Sequence, residues 1–262
     1  MSARSAKLLT RERRREIAKL VKKDGRVSVN DLARRFNVST VTLRSDLGRL
    51  AQEGLIVRSY GGGILPEEHG EDYPLKVKKG IFHGEKVRIG KAAAGLLKPR
   101  QMVILDSGTT SAEVARAINR SNLEGITVIT HAVNIAQQFL DNPKVCVVMI
   151  GGVMRHVSGS FVGPQAERFI RELHADHFFL GVDGIDSEFN LSTPDLLEAQ
   201  LNTLMMEAAH EVTVIADASK FGRRSLSLIG PISNVRRVIT DDGAPREILQ
   251  AMQARGVEVI AV

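Results

Sequence analysis

The sequence of 262 residues predicts an α/β protein in two parts, a small helical N-terminal part and a larger part with a mainly parallel sheet. Beyond residue 80, short Val- and Ile-rich runs alternate with helical patterns, which is typical of parallel βαβ units. The first 65 residues instead carry short amphipathic helices. The balance of basic and acidic residues changes at a similar position in the sequence. Residues 1–60 hold 15 Lys and Arg against 6 Asp and Glu, whereas the remaining residues hold 21 against 24.

Composition excludes several classes of protein. With 43% hydrophobic and 25% charged residues, the chain is expected to be globular. Its single cysteine, Cys146, excludes a disulfide framework and any CxxC site, and we expect it to be buried in the core. No apolar run approaches the roughly 18 residues that span a bilayer, and the charged N-terminus lacks a signal-peptide stretch. We therefore expect a soluble, cytosolic protein.

Three helices are predicted in the first part. A capped helix begins at Thr10 and ends at Asp24-Gly25, with Ile17, Leu20 and Val21 as its apolar stripe. A second helix fits Val29 to Phe36. Ser39 is a suitable N-cap for the third, whose expected core positions are Val41, Leu43, Leu47 and Leu50.

Two helices joined by a tight turn describe a helix-turn-helix, whose second helix enters the major groove of DNA. The following residues 55–64 indicate a strand, a glycine turn and a returning strand, the wing of a winged helix. The candidate DNA-contacting residues are Ser39, Thr40, Thr42, Arg44, Ser45, Arg49, Arg58 and Tyr60. The basic excess supports contact with DNA phosphates. The alternatives are a solvated basic surface and a helical bundle that binds protein.

This first part resembles the DNA-binding domain of the DeoR family of bacterial repressors. The resemblance rests on the run Val38–Leu47 and on the wing Arg58–Gly62. Most members carry a second arginine where this chain has Ser45. This difference implies a changed operator preference or weaker phosphate contact.

Residues 66–80 are expected to link a DNA-binding domain at 10–65 to a second domain at 81–262. The alternative is a surface loop within one domain. In the second domain, apolar runs predict strands buried on both faces. These runs are Met102–Leu105, Ile126–Thr130, Val145–Ile150, Phe178–Val182, Val212–Ala216, Arg237–Thr240 and Val257–Val262.

Polar residues follow almost every predicted strand, and open α/β sheets bind ligands beyond the carboxyl ends of their strands. The segment Asp106–Thr110 is the most informative, because a glycine turn that opens a helix can hold a phosphate. Asp106 could also accept a hydrogen bond from a sugar hydroxyl. The alternative for this segment is a simple turn with an N-cap. The candidate effector-binding residues are Asp106, Ser107, Gly108, Thr109, Thr110, His131, Gly151, Gly152, Asp183, Glu198 and Lys220.

Each of the charged candidates has a plainer interpretation, which for Glu198 is a solvated helix face. Lys220 could pair with a bound anion or could lie on the surface at a helix start. Asp183 and Asp186 could perform acid-base chemistry, but on a turn such residues more often cap the backbone. His174, Asp176 and His177 are expected to diverge, so no metal site is predicted. We predict no catalytic residue and no cofactor.

The second domain also resembles the DeoR family, in the sensor domain that is itself similar to ribose-5-phosphate isomerase. The matching stretches are LDSGTT, GGVMR, FVGPQAE, FLGVDGID and ADASKFG. The resemblance implies a homo-oligomeric repressor, a dimer or tetramer, of a sugar catabolic operon. It also implies that a phosphorylated sugar, such as an amino-sugar phosphate, releases the protein from its operator DNA. No membrane partner is expected.

Two other functions stay open at this point. An isomerase or deaminase with a DNA-binding domain is disfavoured, because residues 186–194 lack the lysine and the glycine run of the resembling isomerases. A DNA-binding protein that responds to no ligand would leave the polar strand ends unexplained.

Overall fold

The structure, a computed structural model, describes residues 9–24, 26–53, 55–59, 61–64 and 72–262. The described residues form two compact units, one that ends at Ile81 and one from Phe82 to Val262. Each has its own hydrophobic core. Within the described ranges, no helix is both long and apolar enough to cross a membrane.

The first unit contains the three predicted helices and one further helical turn. The helices are α1 (Thr10–Asp24), α2 (Val29–Phe36), α3 (Thr40–Gln52) and a single turn α4 (Leu75–Lys78). Ser28 caps α2, and Ser39 caps α3 by accepting a hydrogen bond from the Thr42 N–H. Between them Asn37 adopts the left-handed conformation, which makes the tight turn of the helix-turn-helix. The turn α4 lies inside the segment 66–80 that was predicted to be a linker.

A small antiparallel sheet completes this unit in the order β1-β3-β2. Its strands are β1 (Arg26–Ser28), β2 (Val57–Ser59) and β3 (Gly62–Ile64). Strands β2 and β3 form the predicted wing, whereas β1 was not predicted. Gly62 lies so close to the carbonyl of Val27 that any side chain at position 62 would collide with it. Only glycine therefore allows β3 to pair with β1.

One of the core positions predicted for α3 is wrong. Leu43, Leu47 and Leu50 are buried, but Val41 is 71% exposed. At 100° per residue, position 41 lies about 200° from position 43, on the opposite side of the helix. An apolar side chain is therefore present on the exposed face of α3.

The second unit is built on a seven-stranded sheet in the order β15-β14-β12-β9-β4-β5-β6, with every neighbouring pair parallel. Each strand overlaps one of the seven predicted runs. The strands are β4 (Met102–Leu105), β5 (Thr127–Thr130), β6 (Cys146–Met149), β9 (Ala175–Leu180), β12 (Ala209–Ile215), β14 (Arg237–Thr240) and β15 (Glu258–Ala261). The predicted mainly parallel sheet is confirmed.

Helices cover both faces of this sheet and enclose two hydrophobic clusters. The helices are α5 (His83–Ala94), α6 (Thr109–Asn119), α7 (Val133–Ala136), α8 (Pro164–Ile170), α9 (Leu196–Ala208) and α10 (Arg246–Gln253). Short 3₁₀ turns lie at Gln137–Phe139, Ala218–Lys220 and Ile232–Asn234.

Five further strands were not predicted. A hairpin is formed by β7 (Val153–Arg155) and β8 (Ser160–Val162). A small antiparallel sheet has the order β10-β11-β13, with strands β10 (Gly184–Ile185), β11 (Asn190–Thr193) and β13 (Ser227–Pro231).

Cys146 was expected in the core and is exposed. The reason is its position on β6, which is an edge of the large sheet. There an apolar run need not be buried on both faces.

Candidate functional site

The exposed face of α3 holds most of the predicted DNA-contacting residues. Arg44 and Ser45 are exposed and Thr40 is half-buried. The hydroxyl groups of Ser39 and Thr42 form a hydrogen bond at the start of α3, with their oxygens 2.9 Å apart. These two hydroxyls therefore already stabilise the first turn of the helix.

Arg49 is held by an exposed ion pair one helical turn away, since its Nε lies 2.8 Å from Glu53 Oε1. The side chain of Arg58 and all of Tyr60 lie outside the described residues. The backbone pairing of β2 and β3 agrees with the predicted wing, whereas the DNA contacts of Arg58 and Tyr60 stay predictions.

A buried carboxylate on α3, which the sequence analysis missed, joins this helix to α1. Asp46 is 1% exposed. Its two oxygens accept hydrogen bonds from Arg13 Nε at 2.6 Å and from Arg14 Nε at 2.8 Å. Because Asp46 lies on the same helix as Arg44, this ion-pair cluster fixes the orientation of the exposed face of α3.

In the second unit, the predicted polar residues follow the carboxyl ends of the parallel strands. Along the chain, strands are added from β4 to β5 and β6 on one side, and then to β9, β12, β14 and β15 on the other. The order of addition reverses between β4 and β9, which is where open α/β sheets form ligand crevices. Asp106 directly follows β4, and Gly181 directly follows β9.

Asp106 is buried at this crevice, and both of its oxygens are in internal hydrogen bonds. Oδ2 accepts from the Gly181 N–H at 3.1 Å, and Oδ1 accepts from the Ser111 hydroxyl. Burial raises the pKa of Asp106 to about 6, against the lowering effect of the hydrogen bonds. A Cβ at position 181 would lie 2.8 Å from Oδ2, so Gly181 allows this contact. Asp106 thus joins two strand ends, while the sugar contact predicted for it stays a prediction.

Helix α6 begins beside Asp106. Its N-cap is Gly108, and no side chain caps the helix. Ser107 and Thr110 are buried, whereas Gly108 and Thr109 are half-buried. The uncapped N–H groups of an 11-residue helix form a positive end that can hold an anion.

A second cluster surrounds the buried carboxylate of Glu198, near the start of α9. Its Oε1 accepts a hydrogen bond from the Ser160 hydroxyl at 2.8 Å and lies 3.4 Å from the hydroxyl of Ser107. Arg155 on β7 forms two ion pairs here. Its Nη1 lies 3.3 Å from Glu198 Oε1, and its Nε lies 3.0 Å from Asp195 Oδ2. The cluster therefore joins the α6 loop, the β7–β8 hairpin and α9.

His131, which follows β5, is 1% exposed. Its Nδ1 has no hydrogen-bond partner among the described residues. Burial lowers the pKa of His131 to about 4, although the nearby charge of Glu198 acts in the opposite direction. The imidazole is therefore neutral at neutral pH.

Two lysines are buried against carboxylates at the same edge of the sheet. Lys220 Nζ lies 3.9 Å from Asp183 Oδ1, and Lys86 Nζ lies 3.9 Å from Asp217 Oδ2. Lys220 is thus not the surface residue of the plainer interpretation. Lys86 was not predicted, because it lies in the first turn of α5, far in sequence from the carboxyl end of any strand.

Gly151 and Gly152 are exposed and connect β6 to β7. A Cβ at Gly152 would lie 2.6 Å from the carbonyl oxygen of Val162, so the hairpin needs glycine there. Through this turn the two glycines position Arg155. Asp186 accepts hydrogen bonds from the backbone of Glu188 and Asn190, as the capping interpretation expects. In the described ranges, no group of three or more His, Cys, Asp and Glu residues could hold a metal ion.

Comparison with known families covers both units. The helix-turn-helix region, residues 13–69, matches the family described as "DeoR-like helix-turn-helix domain". Residues 81–242 match the "DeoR C terminal sensor domain". The chain belongs to the DeoR family. This DeoR-family chain is therefore a DNA-binding transcriptional regulator with a sensor domain.

Individual relatives agree with this family over nearly the whole chain. It is 39% identical over 255 residues to the "Putative aga operon transcriptional repressor" of Escherichia coli O157:H7, which covers 97% of this chain and 94% of that protein. The "Glycerol-3-phosphate regulon repressor" of Escherichia coli (strain K12) is 32% identical over 249 residues, or 95% of this chain and 97% of that protein. The resemblance to the aga repressor was expected from ILDSGTT, FLGVDGID, EAQLN and DASKFGR.

Among solved structures, ribose 5-phosphate isomerase A from Methanocaldococcus jannaschii aligns with 53% of this chain and 55% of its own. The identity is 18% and the TM-score is 0.40.

Proposed function

We propose that this regulator represses a sugar catabolic operon and leaves its operator DNA when a phosphorylated sugar binds to the second unit. The observation that carries the proposal is the position of α6. This helix begins, uncapped, at the point of the parallel sheet where ligand crevices form. The two relatives, an aga operon repressor and a glycerol-3-phosphate regulon repressor, support a phosphorylated carbohydrate as the effector.

DNA binding is assigned to the exposed face of α3 together with the wing. Arg44 can bond guanine or a phosphate, and Thr40 can contact a thymine methyl group or a phosphate. The exposed Val41 adds an apolar contact of the kind that also fits a thymine methyl group. Two such units in a symmetric oligomer would bind a repeated or palindromic operator.

Effector binding is assigned to the start of α6. The phosphate would accept hydrogen bonds from the N–H groups of Thr109 and Thr110 and from the hydroxyls of Ser107, Thr109 and Thr110. Lys220 supplies a positive charge at the same edge of the sheet. The sugar would face the cluster of Glu198 and Arg155, where a buried carboxylate can accept hydrogen bonds from hydroxyl or amino groups.

Release from DNA requires that the effector bind one arrangement of the protein more tightly than another. A coupling of about 1–3 kcal/mol between the two sites would change operator affinity by about 5- to 150-fold. An inducing effector must therefore favour the arrangement with the lower DNA affinity.

Operator release by phosphorylated sugars tests the proposal. A duplex selected from random sequences serves as operator, and fluorescence anisotropy follows its binding as sugars are added. We expect one phosphorylated sugar to weaken binding at least about fivefold, and its unphosphorylated form to have no effect. Indifference of DNA binding to every phosphorylated sugar would contradict the sensing role.

A variant tests the position of the site. Lys220→Gln should reduce the response to the effector at least about fivefold while leaving the affinity for DNA unchanged. Lys91→Gln is a matched control, because Lys91 is exposed on α5 and the same charge is removed. Equal responses of the two variants would remove Lys220 from the effector site.

A further inference from the structure

The two edge strands of the large sheet, β6 and β15, have the same pattern of exposure, but only β15 carries a charged residue. On β6 and on β15 the two middle residues are half-buried and the two end residues are exposed. The exposed residues of β6 are Cys146 and Met149, and those of β15 are Glu258 and Ala261. A charged residue on an edge strand discourages pairing with another chain, so β15 is protected in this way. On β6 such a charge is absent.

The sequence around β6 lacks charged residues. Residues 145–154, VCVVMIGGVM, hold no charged residue, in a chain of which 25% of the residues are charged. Val147 and Val148 point to opposite faces of the sheet and each packs against one of its two hydrophobic clusters. An edge strand without charged residues is unusual, because natural proteins commonly protect such edges with charged side chains. In this unit β6 has one neighbour, β5.

Exposed apolar residues also occur before and after β6 in the sequence. Leu140, which precedes the strand, is 79% exposed, and Val153 on β7 is 62% exposed. Met154 is also exposed. Together with Cys146 and Met149 they form an apolar edge. Exposed apolar side chains on an unprotected edge strand are typical of sites where chains associate.

We propose that this apolar edge pairs with the same edge of a second copy of the chain. An edge strand needs a strand as partner, because its outward N–H and C=O groups are satisfied by another extended backbone. Under a twofold axis a strand meets its own copy in antiparallel orientation, so one sequence supplies both sides. The absence of charge in residues 145–154 removes the like-charge repulsion that such self-pairing would otherwise create. The two large sheets then form one continuous sheet.

The proposal does not depend on DNA or effector binding and is tested without either. Sedimentation equilibrium of the full-length protein should give twice the mass of its Met149→Lys variant. The charge is placed on an exposed side chain at the edge, where it opposes pairing without filling the core. Ala261→Lys is the matched control, because it adds the same charge at the corresponding exposed position of β15. The control should keep the mass of the unsubstituted protein.

A mixture of Met149→Lys and Met149→Glu chains separates loss of pairing from loss of folding. Opposite charges across the edge attract, so the mixture should regain the mass of the unsubstituted protein at a concentration where each variant alone has half of it. A monomeric unsubstituted protein, an unchanged mass of Met149→Lys, or an equal loss of mass in Ala261→Lys would each overturn the proposal.

Discussion

Arg44 is the exposed basic residue on α3 that the operator model depends on most. Arg44→Ala should weaken operator binding by about 1–3 kcal/mol and, if the arginine contacts a phosphate, reduce the salt-dependence slope by about 1. Arg171→Ala is the control, because it removes the same charge from an exposed site in the second unit. Anisotropy titrations at several salt concentrations measure both quantities. Matching affinity and slope in the two variants would exclude Arg44 from the interface.

Asp106 should make the second unit less stable as the pH rises. Its pKa is raised from 3.8 to about 6, so the folded state holds a proton that the unfolded state has released. Stability from this group is full below about pH 4 and is lost as the pH rises through about 6, by at most about 3 kcal/mol. Asp106→Asn, which cannot ionise, should remove this loss. Urea unfolding near pH 4 and near pH 6.5 measures it, and an unchanged pH slope in the variant would contradict the prediction.

His131 should have the opposite effect in the same pH range. Its pKa is lowered from 6.5 to about 4, so below pH 6.5 the unfolded state binds a proton that the folded state does not. Stability from this group is present above about pH 6.5 and is lost as the pH falls towards 4, again by at most about 3 kcal/mol. His131→Asn should therefore be less sensitive to acid than the unsubstituted protein in the same urea experiment. Greater acid sensitivity of the variant would show that His131 is protonated in the folded state.

The contact between α1 and α3 depends on one buried carboxylate. Asp46 accepts hydrogen bonds from Arg13 and Arg14, and both Asp46 and Arg13 are buried. Asp46→Asn leaves the arginine charges without this counter-charge, which typically costs about 3–5 kcal/mol. Asp31→Asn is the control, because it breaks an exposed ion pair, with Arg34, and should cost less than about 1 kcal/mol. Chemical unfolding of the first unit compares them, and equal losses would show that the buried cluster contributes no more than a surface pair.

The large sheet could be predicted because each of its strands overlaps a run that is rich in apolar residues. The strands β10 and β11 could not, since they are two and four residues long and contain glycine, serine and asparagine, which are typical of loops. The edge position of Cys146 was missed for a related reason. An apolar run predicts burial but does not specify where in the sheet the strand lies.

The same limit applies to the candidate site. Residues such as Asp106 and Lys220 were predicted together, because all strand ends of a parallel sheet meet at one edge. Lys86, Arg155 and Asp46 were missed, because their partners are far away in the sequence. Arg155 lies on a short hairpin strand, and its partners Asp195 and Glu198 are 40 or more residues further along the chain. Such pairs follow from the tertiary fold and leave no local pattern.

In the whole molecule, the basic residues are concentrated in the part that is assigned to DNA binding, and the part that is assigned to effector binding is weakly acidic. The net charge of +9 in residues 1–60 suits a surface that binds DNA phosphates. The remaining residues have a net charge of −3, yet the proposed effector is an anion. The effector site proposed at the start of α6 is consistent with this difference, because oriented N–H groups bind a phosphate without a local excess of basic side chains. A weakly acidic second unit would also avoid competing for DNA.

The two units should unfold separately on heating. The core of the first unit, which includes Ile17, Leu43 and Leu47, shares no residue with the two clusters of the second. Each unit should therefore give its own cooperative transition. Asp46→Asn should lower only the transition of the first unit, by about 10 °C or more for a loss near 3 kcal/mol. A phosphorylated sugar should raise only the other transition, because a ligand stabilises the unit that binds it. Differential scanning calorimetry distinguishes the two. A single transition that both changes shift would mean that the units fold as one, so that effector binding and the DNA-binding unit are coupled through stability itself.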